Sequence, residues 1–261
     1  MTPGPGRPTV SVVIPVLDDA PALEGCLAAL AAQTRAPDEV IVVDNSPGAA
    51  DEATAALARG AGARVVRETR RGVGAASAAG YDEARGTVIA RLDADSRPAP
   101  DWVETALREL ADPRVHAVTG PGTFYDIPGL RGLLAALAYH LPLRAVGWSM
   151  GHPPLWGSNM AIRTCAWRAA SEVVRRDDPL VHDDLDLAFA LGPLARVRWT
   201  PALRVSVEGR AFGSRAAMAA HVRRTFHTCR LHWARQGPGE RLLCSLTRGR
   251  IFHDSTASTV E

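Results

Sequence analysis

The chain of 261 residues contains 30 basic residues, every one of them Arg, and 28 acidic residues, which gives a formal net charge of +2 at pH 7. This near balance argues against a dedicated nucleic-acid-binding protein, and the absence of Lys excludes lysine Schiff-base chemistry and a lysine general base. The Cys residues lack C-x-x-C spacing and no apolar stretch reaches about 20 residues, which predicts a cytoplasmic protein without a zinc site, a disulfide framework or a membrane span.

The first half of the chain alternates predicted strands with predicted helices. Residues 1–8 form a flexible Gly/Pro-rich leader without the apolar core of a signal peptide. In chain order there follow strand Thr9–Pro15, helix Pro21–Gln33, strand Glu39–Asp44, helix Ala49–Arg59, strand Ala63–Arg67, helix Gly74–Arg85 and strand Thr87–Asp93. This alternation predicts an α/β fold with a doubly wound, mostly parallel sheet, in which ligands bind beyond the carboxyl ends of the strands.

The second half of the chain is less regular. Helices are predicted at Asp101–Leu110, Asp183–Leu191 and Ser214–Trp233, and strands at His116–Gly120, at the end of Leu155–Arg163, at Arg196–Thr200 and at Leu203–Val207. The most apolar segment, Leu130–Trp148, has two interpretations: an interfacial helix at a membrane surface, or a helix buried in the core or in a dimer contact. From Thr247 the chain is polar and is expected to fray.

The strongest candidate for a site is the sequence Arg-Leu-Asp-Ala-Asp, which ends the fourth strand. Asp93 and Asp95 are two residues apart, so both side chains point to one face. One carboxylate can bind a hard divalent cation, Mg²⁺ or Mn²⁺, while the other holds a ribose hydroxyl. A solvated acidic turn is the alternative, but the preceding strand and the Pro and Trp residues that follow favour a functional site.

A second acidic cluster opens the helix predicted at 183–191. Asp183, Asp184 and Asp186 repel one another, which raises the pKa of one or more of them and suits a general base. The alternative is simple capping, because Asp in the first turn interacts favourably with the helix dipole. From this segment alone the capping interpretation is preferred.

Two glycine-containing segments complete the candidates. Gly157, Ser158 and Asn159 precede an apolar strand, and small residues there allow a loop to approach a ligand closely. Arg71 and Gly72 open a helix, where a guanidinium and a helix N-terminus can both face a phosphate. An ordinary turn is the alternative for the first segment, and the second is no dinucleotide fingerprint, because it follows the third strand.

Taken together, these segments resemble the family-2 glycosyltransferases, which are inverting enzymes with the A-type glycosyltransferase fold. Each segment is weakly specific, but their order and spacing over residues 9–210 make the resemblance specific. The matching segments are VSVVIPVLDD at 10–19, EVIVVDNS at 39–46, RRGVGAASAAG at 70–80, ARGTVIARLDADSRPAPDWVE at 84–104, GSNMAIR at 157–163 and HDDLDLAFAL at 182–191.

The resemblance implies a role for each matching residue. It places Pro15, Val16 and Asp19 against the nucleotide base and ribose, with Asp19 in place of the more usual Glu. It places Asp44 on the base, Asp93 on the nucleotide and Asp95 on the metal, and it lines the pocket for the donor sugar and acceptor with Gly157, Ser158 and Asn159. It selects Asp184 as the catalytic base, with Asp183 as the second choice.

The activity implied by the resemblance is metal-assisted hexosyl transfer, with inversion, from a nucleotide-diphospho-sugar to an acceptor hydroxyl. The expected partners are a UDP-, GDP- or dTDP-sugar, Mn²⁺ or Mg²⁺ as cofactor, and a hydroxyl acceptor, with no nucleic acid and with possible peripheral membrane contact. The implied organisation is a nucleotide-sugar-binding half at 9–115, an acceptor and catalytic half at 116–212, and a basic C-terminal helix and tail at 213–261.

Two departures from the family keep alternatives open. Ser77 and Ala78 stand where the family often has Arg-Asn, so a phosphate contact is lost or moved, and Arg70 and Arg71 are candidates to replace it. A non-catalytic homologue that binds nucleotide sugars therefore remains an alternative. A sugar-nucleotide pyrophosphorylase would need a Gly-rich loop with Lys after the first strand, and a methyltransferase would need a G-x-G loop there. The processive-synthase motif Q-x-x-R-W is also absent.

Overall fold

The computed structural model describes residues 7–47, 51–210 and 214–254. In these residues a seven-stranded sheet has the order β3-β2-β1-β4-β8-β6-β9, and a small sheet has the order β5-β10-β7. The strands are β1 (Val10–Val16), β2 (Glu39–Asp44), β3 (Arg64–Arg67), β4 (Val88–Arg91), β5 (Arg97–Pro98), β6 (Ala117–Thr119), β7 (Gly122–Phe124), β8 (Met160–Arg163), β9 (Val197–Trp199) and β10 (Val205–Val207). In the large sheet β8 is antiparallel to β4 and β6, and the other pairs are parallel, which confirms the predicted α/β class.

Helices cover both faces of the large sheet. They are α1 (Ala20–Ala31), α2 (Glu52–Gly60), α3 (Val73–Glu83), α4 (Trp102–Glu109), α5 (Gly129–Met150), α6 (Thr164–Ala170), α7 (Asp183–Ala190), α8 (Arg215–Trp233) and α9 (Pro238–Asp254). Successive residues of a strand point to opposite faces, so Val12 of β1 packs in the core under α1 and α4 while Val13 packs in the core under α3 and α7. Burial on both faces explains why β1 reads as a continuous apolar run.

The strand order reverses beside β1, and this reversal positions the site. The chain builds β2 and β3 on one side of β1 and then returns to place β4 on the other side. Crevices at such a switch point are the usual ligand sites of open α/β sheets. The segments that follow β1 and β4, with Asp19 and Asp93, therefore flank one crevice.

Helix α5 covers the segment for which two interpretations were open. Gly132, Leu143 and Met150 are buried against the fold, so one face is packed. The opposite face is open, with Leu130 70% and Trp148 79% exposed. The helix is therefore not a buried core helix, and its interfacial role stays a prediction. No helix within the described ranges is both long and apolar enough to cross a membrane.

The expectation that the chain frays from Thr247 is wrong as far as residue 254, because these residues continue α9. The helix is anchored by Arg241, which is buried and donates a hydrogen bond to the carbonyl of Phe189 at 3.3 Å. The sequence analysis missed α9, as it missed α6, β5 and β7. The leader predicted at 1–8, the start of the helix predicted at 49–59 and the boundary near 212 fall largely outside the described residues, and so does the tail beyond 254.

Candidate active site

A cleft with a volume of about 390 Å³ opens at the carboxyl ends of β1 and β4. The loop before β8 and the first turn of α7 close its other side, so segments from both halves of the sequence meet there. The residues that line it are Pro15, Leu17, Asp19, Val73, Arg91, Asp93, Ala94, Asp95, Tyr139, Trp156, Ser158, His182, Asp183, Asp184, Arg210 and Arg224.

Arg91, the last residue of β4, organises the floor of the cleft. Its side chain is only 3% exposed and pairs with Asp93 at 2.8 Å and with Asp183 at 2.5 Å. A buried guanidinium is tolerated only with such partners. The neighbouring Gly157 leaves room for it, because a Cβ at that position would lie 2.5 Å from an Arg91 nitrogen. Arg91 therefore ties the Asp-Ala-Asp segment to the start of α7.

Asp93 is held from three sides at the edge of the cleft. Besides Arg91, it accepts a hydrogen bond from the Ser158 hydroxyl at 2.5 Å. Its backbone N–H donates to the Ser96 hydroxyl at 3.1 Å, which fixes the turn after β4. The carboxylate nevertheless stays 35% exposed, so it is accessible to a ligand. The structure thus brings the predicted residues Asp93 and Ser158 into direct contact.

Asp95 lies deeper in the cleft than Asp93, with a side chain that is 16% exposed. Burial and the nearby negative charge of Asp93 raise the pKa of Asp95 to about 6. Arg210 approaches it only at 3.7 Å and pairs more closely with Asp19 at 2.5 Å and with Glu208 at 2.7 Å. A buried carboxylate with this little compensation is the kind of ligand that a divalent cation stabilises.

Asp184 is the carboxylate with the strongest hydrogen-bond support. It accepts from the backbone N–H of Gly157 at 2.9 Å and from that of Leu185 at 2.7 Å, and it pairs with His182 at 2.9 Å. Burial alone would raise its pKa, but His182, Arg91 and the Gly157 N–H hold the pKa of Asp184 below its usual range. The group is therefore an ionised carboxylate, fixed in orientation, at the wall of the cleft.

Histidine side chains extend this contact away from the cleft. Burial lowers the pKa of His182, but the carboxylates of Asp184 and Asp183 outweigh it, and the net shift is upwards. The other ring nitrogen of His182 lies 3.1 Å from Nδ1 of His221 on α8. Burial and the charge of His182 lower the pKa of His221 to about 4, so His221 is neutral at pH 7. His182 and His221, weak candidates in the sequence, thus orient Asp184.

Asp183 faces the same cleft in a different environment. It binds Arg91 at 2.5 Å and accepts a hydrogen bond from the Ser77 hydroxyl at 3.2 Å. Burial and the neighbouring carboxylates of Asp184 and Asp93 raise its pKa, although Arg91 opposes the shift. The Ser77 that departs from the family pattern therefore supports this carboxylate.

Several residues of this cleft fit a divalent cation. The ligand atoms of His182, Asp183 and Asp184 lie within 4.8 Å of one another. Asp95, whose raised pKa reflects an uncompensated buried charge, faces the same cleft. Carboxylate oxygens and imidazole nitrogen are ligands that Mn²⁺ accepts, and Mg²⁺ prefers the oxygens.

Three predicted site residues lie behind the cleft rather than on its surface. Asp44 is 1% exposed and accepts from the backbone N–H of Ser46 at 2.9 Å, besides pairing with Arg67. Val16 is 3% exposed. Asn159 is fully buried, and its amide binds three groups of the interior, namely the Trp102 indole N–H and the carbonyls of Pro121 and Leu203. In this structure these side chains support the cleft.

Asn159→Ala is expected to lower the free energy of unfolding by about 2–3 kcal/mol, because it leaves the buried Trp102 N–H without its acceptor. Urea unfolding followed by Trp fluorescence measures the change. Nucleotide affinity of the folded variant should stay within about twofold, since such surrounding changes add little when the contact is not direct. Unchanged stability with a large loss of nucleotide affinity would instead place Asn159 on the ligand.

The predicted phosphate-facing segment lies at the start of α3. Gly72 is the residue before this helix and has φ +126°, a conformation that favours glycine, and its N–H donates to the Asn45 side chain at 3.0 Å. Arg71 is exposed beside it. Arg70 is already paired with Glu68 at 2.8 Å and with Asp177 at 3.5 Å. Of the two candidate arginines, Arg71 is thus the one available to a ligand.

The sequence analysis missed Arg91 and Arg210 as site residues. Arg91 had a local signal, since a charged residue within a buried strand must find buried partners. Arg210, Tyr139 and Trp156 had none, because only the folded chain brings their segments to the cleft.

Comparison with known proteins places this cleft in a family context. Residues 11–166, more than half of the chain, match the family model described as glycosyl transferase family 2. Glycosyltransferase AglE from Haloferax volcanii is 31% identical over 121 residues, which are 43% of this chain and 39% of that protein. The chain thus matches less than half of the length of this curated relative.

Solved structures of similar shape extend over most of the chain. The mannosyltransferase PcManGT from Pyrobaculum calidifontis, in complex with GDP-Man and Mn²⁺, has a TM-score of 0.67 at 23% identity, over 98% of this chain and 77% of that chain. Mannosyl-3-phosphoglycerate synthase from Rubrobacter xylanophilus has a TM-score of 0.58 at 20% identity, over 88% of this chain and 76% of that chain. At these identities the likeness establishes the fold, which is the A-type glycosyltransferase fold.

Proposed function

The chain belongs to glycosyl transferase family 2, and from this premise we propose that it transfers a hexosyl group, with inversion, from a nucleotide-diphospho-sugar to an acceptor hydroxyl. The observation that carries the proposal is the position of Asp184, an ionised and rigidly held carboxylate that faces Asp93 and Asp95 across one cleft. One carboxylate base on one side and a nucleotide-binding acidic pair on the other are what a single displacement requires. Family membership sets aside the pyrophosphorylase and methyltransferase alternatives.

The donor nucleotide is proposed to bind along the ends of β1 and β4. Pro15 and Asp19 line the cleft there and are accessible to the base and ribose, while Val16 and Asp44 support this wall from behind. Asp93 keeps an exposed carboxylate for a ribose hydroxyl, fixed by Arg91. Gly157 and Ser158 shape the floor on which the sugar would rest, and Arg71 and Gly72 lie at the N-terminus of α3, where a phosphate is favoured. UDP, GDP and dTDP are the nucleotides that we consider.

The proposed cation ligand is Asp95, with His182 and Asp183 as further candidates. A divalent cation bound there supplies neutralisation of the negative charge that develops on the diphosphate leaving group. The residues themselves favour this charge, since Asp95 is buried and lacks a close cationic partner.

Asp184 is proposed to accept the proton of the acceptor hydroxyl as that oxygen attacks the anomeric carbon. His182 and the Gly157 N–H orient the carboxylate, so that little reorganisation is needed when the proton arrives. The acceptor oxygen forms the new glycosidic bond from the face opposite to the leaving diphosphate, and the bond to the nucleotide breaks. A single displacement of this kind inverts the anomeric configuration and forms no covalent enzyme intermediate.

A two-step experiment tests this proposal. First, UDP, GDP, dTDP and CDP are compared by thermal shift with Mn²⁺, with Mg²⁺ and with EDTA, where one nucleotide at about 100 times its Kd should add about 2.7 kcal/mol of stability. The matching nucleotide sugars are then incubated with candidate acceptors, and NMR reports the anomeric configuration of the product. Nucleotide binding without any turnover would favour the non-catalytic homologue. A retained configuration would contradict inversion.

The affinity for Mn²⁺ is expected to rise by about tenfold between pH 5 and pH 7.5. Asp95 must lose its proton to bind a cation, and a group of pKa about 6 is mostly protonated at pH 5 and mostly ionised at pH 7.5. Titrations followed by electron paramagnetic resonance of free Mn²⁺ measure this affinity. Asp95→Asn should flatten the dependence. A pH-independent affinity of the unmodified protein would contradict the assignment.

The division of the chain at 115 and 212 and the cellular location remain part of the proposal. All four cysteines, Cys26, Cys165, Cys229 and Cys244, are free thiols in the structure, which supports a reducing compartment such as the cytoplasm. Peripheral contact with a membrane is supported by the exposed apolar face of α5.

A further inference from the structure

An apolar groove runs between α5 and α8 and opens onto the cleft. Its volume is about 290 Å³. The lining residues are Ala138, Tyr139, Pro142, Leu143, Ala145, Val146, Met218, His221, Val222, Thr225, Phe226, Cys229 and Trp233. Leu143 and Cys229 form a buried floor, while Val222 and Phe226 are 44% and 66% exposed at the rim.

The groove is continuous with the proposed catalytic centre. Tyr139 lines both the groove and the cleft. His221 lies in the groove wall, with its ring 5.0 Å from that of Tyr139, and reaches His182, which in turn pairs with Asp184. Any molecule whose reacting hydroxyl lies at Asp184 can therefore extend directly into the groove.

The lining chemistry determines what the extension can be. The Thr225 hydroxyl already donates to the carbonyl of His221 at 3.1 Å, and Nδ1 of His221 faces His182. Backbone amides of a peptide would find few partners here, and unpaired polar groups are costly to bury. The neutral His221 and the aliphatic and aromatic walls suit a hydrocarbon chain instead.

Beyond the groove, at the cleft, the surroundings become polar. Arg224, one turn along α8 from His221, lines the cleft and donates to the carbonyl of Val181 at 3.2 Å. Its Nε atom is buried without a hydrogen-bond partner among the described residues. The site therefore offers a polar end beside Asp184 and an apolar channel leading away from it.

We propose that the groove between α5 and α8 binds the hydrocarbon chain of an amphiphilic acceptor, whose polar end meets Arg224 and Asp184. This inference rests on the proposed function, because it assigns the groove to the acceptor. It narrows the acceptor class to a molecule with an alkyl or isoprenoid-like chain next to the hydroxyl or phosphate that it presents to the cleft.

Calorimetry without any donor tests the groove itself. The probes are octyl, decyl and dodecyl β-D-maltoside and the corresponding alkyl phosphates, each kept below its critical micelle concentration. Affinity should increase about threefold for each added methylene, close to the gain for burying one CH₂. Dependence on chain length in either series supports the proposal, and a preference for the phosphates would assign Arg224 to an anionic end. Affinity independent of chain length in both series would overturn it.

Matched variants locate the binding. Ala145→Arg places a charge and bulk in the groove from an exposed position and should weaken decyl binding by at least about tenfold, as should Phe226→Arg if the first variant does not fold. Leu134→Arg is the control, because Leu134 is 56% exposed on the same helix and lines neither the groove nor the cleft. Equal losses in the control and the groove variants would overturn the proposal.

The failure of this inference differs from a failure of the proposed function. If transfer to a short, water-soluble acceptor is observed but no probe binds, the groove assignment falls alone. If the probes bind as expected and nucleotide sugars are never turned over, the groove binds chains and the transferase proposal falls.

Discussion

Replacing Asp184 with Asn is expected to lower kcat by about 10²–10⁴-fold, the range that general-base catalysis contributes. The amide still accepts a hydrogen bond from the Gly157 N–H but cannot take the proton of the acceptor hydroxyl. Nucleotide affinity in the presence of Mn²⁺ should stay within a few-fold, because Asp184 lies across the cleft from the nucleotide-binding wall. Steady-state kinetics and calorimetry measure the two quantities. Turnover within a few-fold of the unmodified enzyme would exclude Asp184 as the base.

Asp183→Asn is the matched comparison, since it removes the same charge one residue away. We expect this variant to lose stability, because buried Arg91 keeps only Asp93 as a charged partner. Its kcat should fall much less than that of Asp184→Asn. The reverse order of the two kcat values would assign the base to Asp183, the second choice from the sequence.

Asp95→Asn is expected to abolish the Mn²⁺-dependent part of nucleotide binding and to lower kcat by at least about 10²-fold, since a cation at a leaving group is worth several kcal/mol. The amide keeps the shape of the side chain but loses the charge that holds a cation. Thermal shift with the preferred nucleotide, with Mn²⁺ and with EDTA, shows the loss directly. A response to Mn²⁺ equal to that of the unmodified protein would mean that other residues hold the metal.

Glu208→Gln serves as the control for Asp95→Asn. Glu208 binds the same guanidinium, that of Arg210, at 2.7 Å, and is 38% exposed, but it is not a proposed ligand. The variant removes one negative charge near Asp95 and should leave the Mn²⁺ response in place. A loss as large as that of Asp95→Asn would indicate that net charge, rather than coordination, governs the response.

The elements of the first half could be predicted because their signals are local. β2 coincides with the predicted Glu39–Asp44, and β1 differs from its prediction by one residue at each end. Strands with apolar runs on both faces and helices with regular apolar spacing carry their own pattern. The helix α9 has no such pattern, and its position depends on contacts of Arg241 with the distant Phe189.

The candidate site was predictable in part for the same reason. Asp93, Asp95 and the cluster at the start of α7 stand out as charges at the ends of apolar segments, and the structure brings them to one cleft. Asn159 stands in a segment with a family resemblance, yet its amide is used up by Trp102 and two interior carbonyls. A motif gives the residue type, but only packing determines whether a side chain faces a ligand or the core.

By itself, the sequence determined the α/β alternation, the carboxylates at the strand ends and the absence of lysine chemistry, because each depends on residues close together in the chain. The tertiary structure alone decided that Arg91 joins Asp93 to Asp183, a residue 92 positions away. It also decided the groove that α5 and α8 form beside His221. The reason is physical: a pKa, a buried ion pair or a groove depends on distances of a few ångströms between segments that are far apart in sequence.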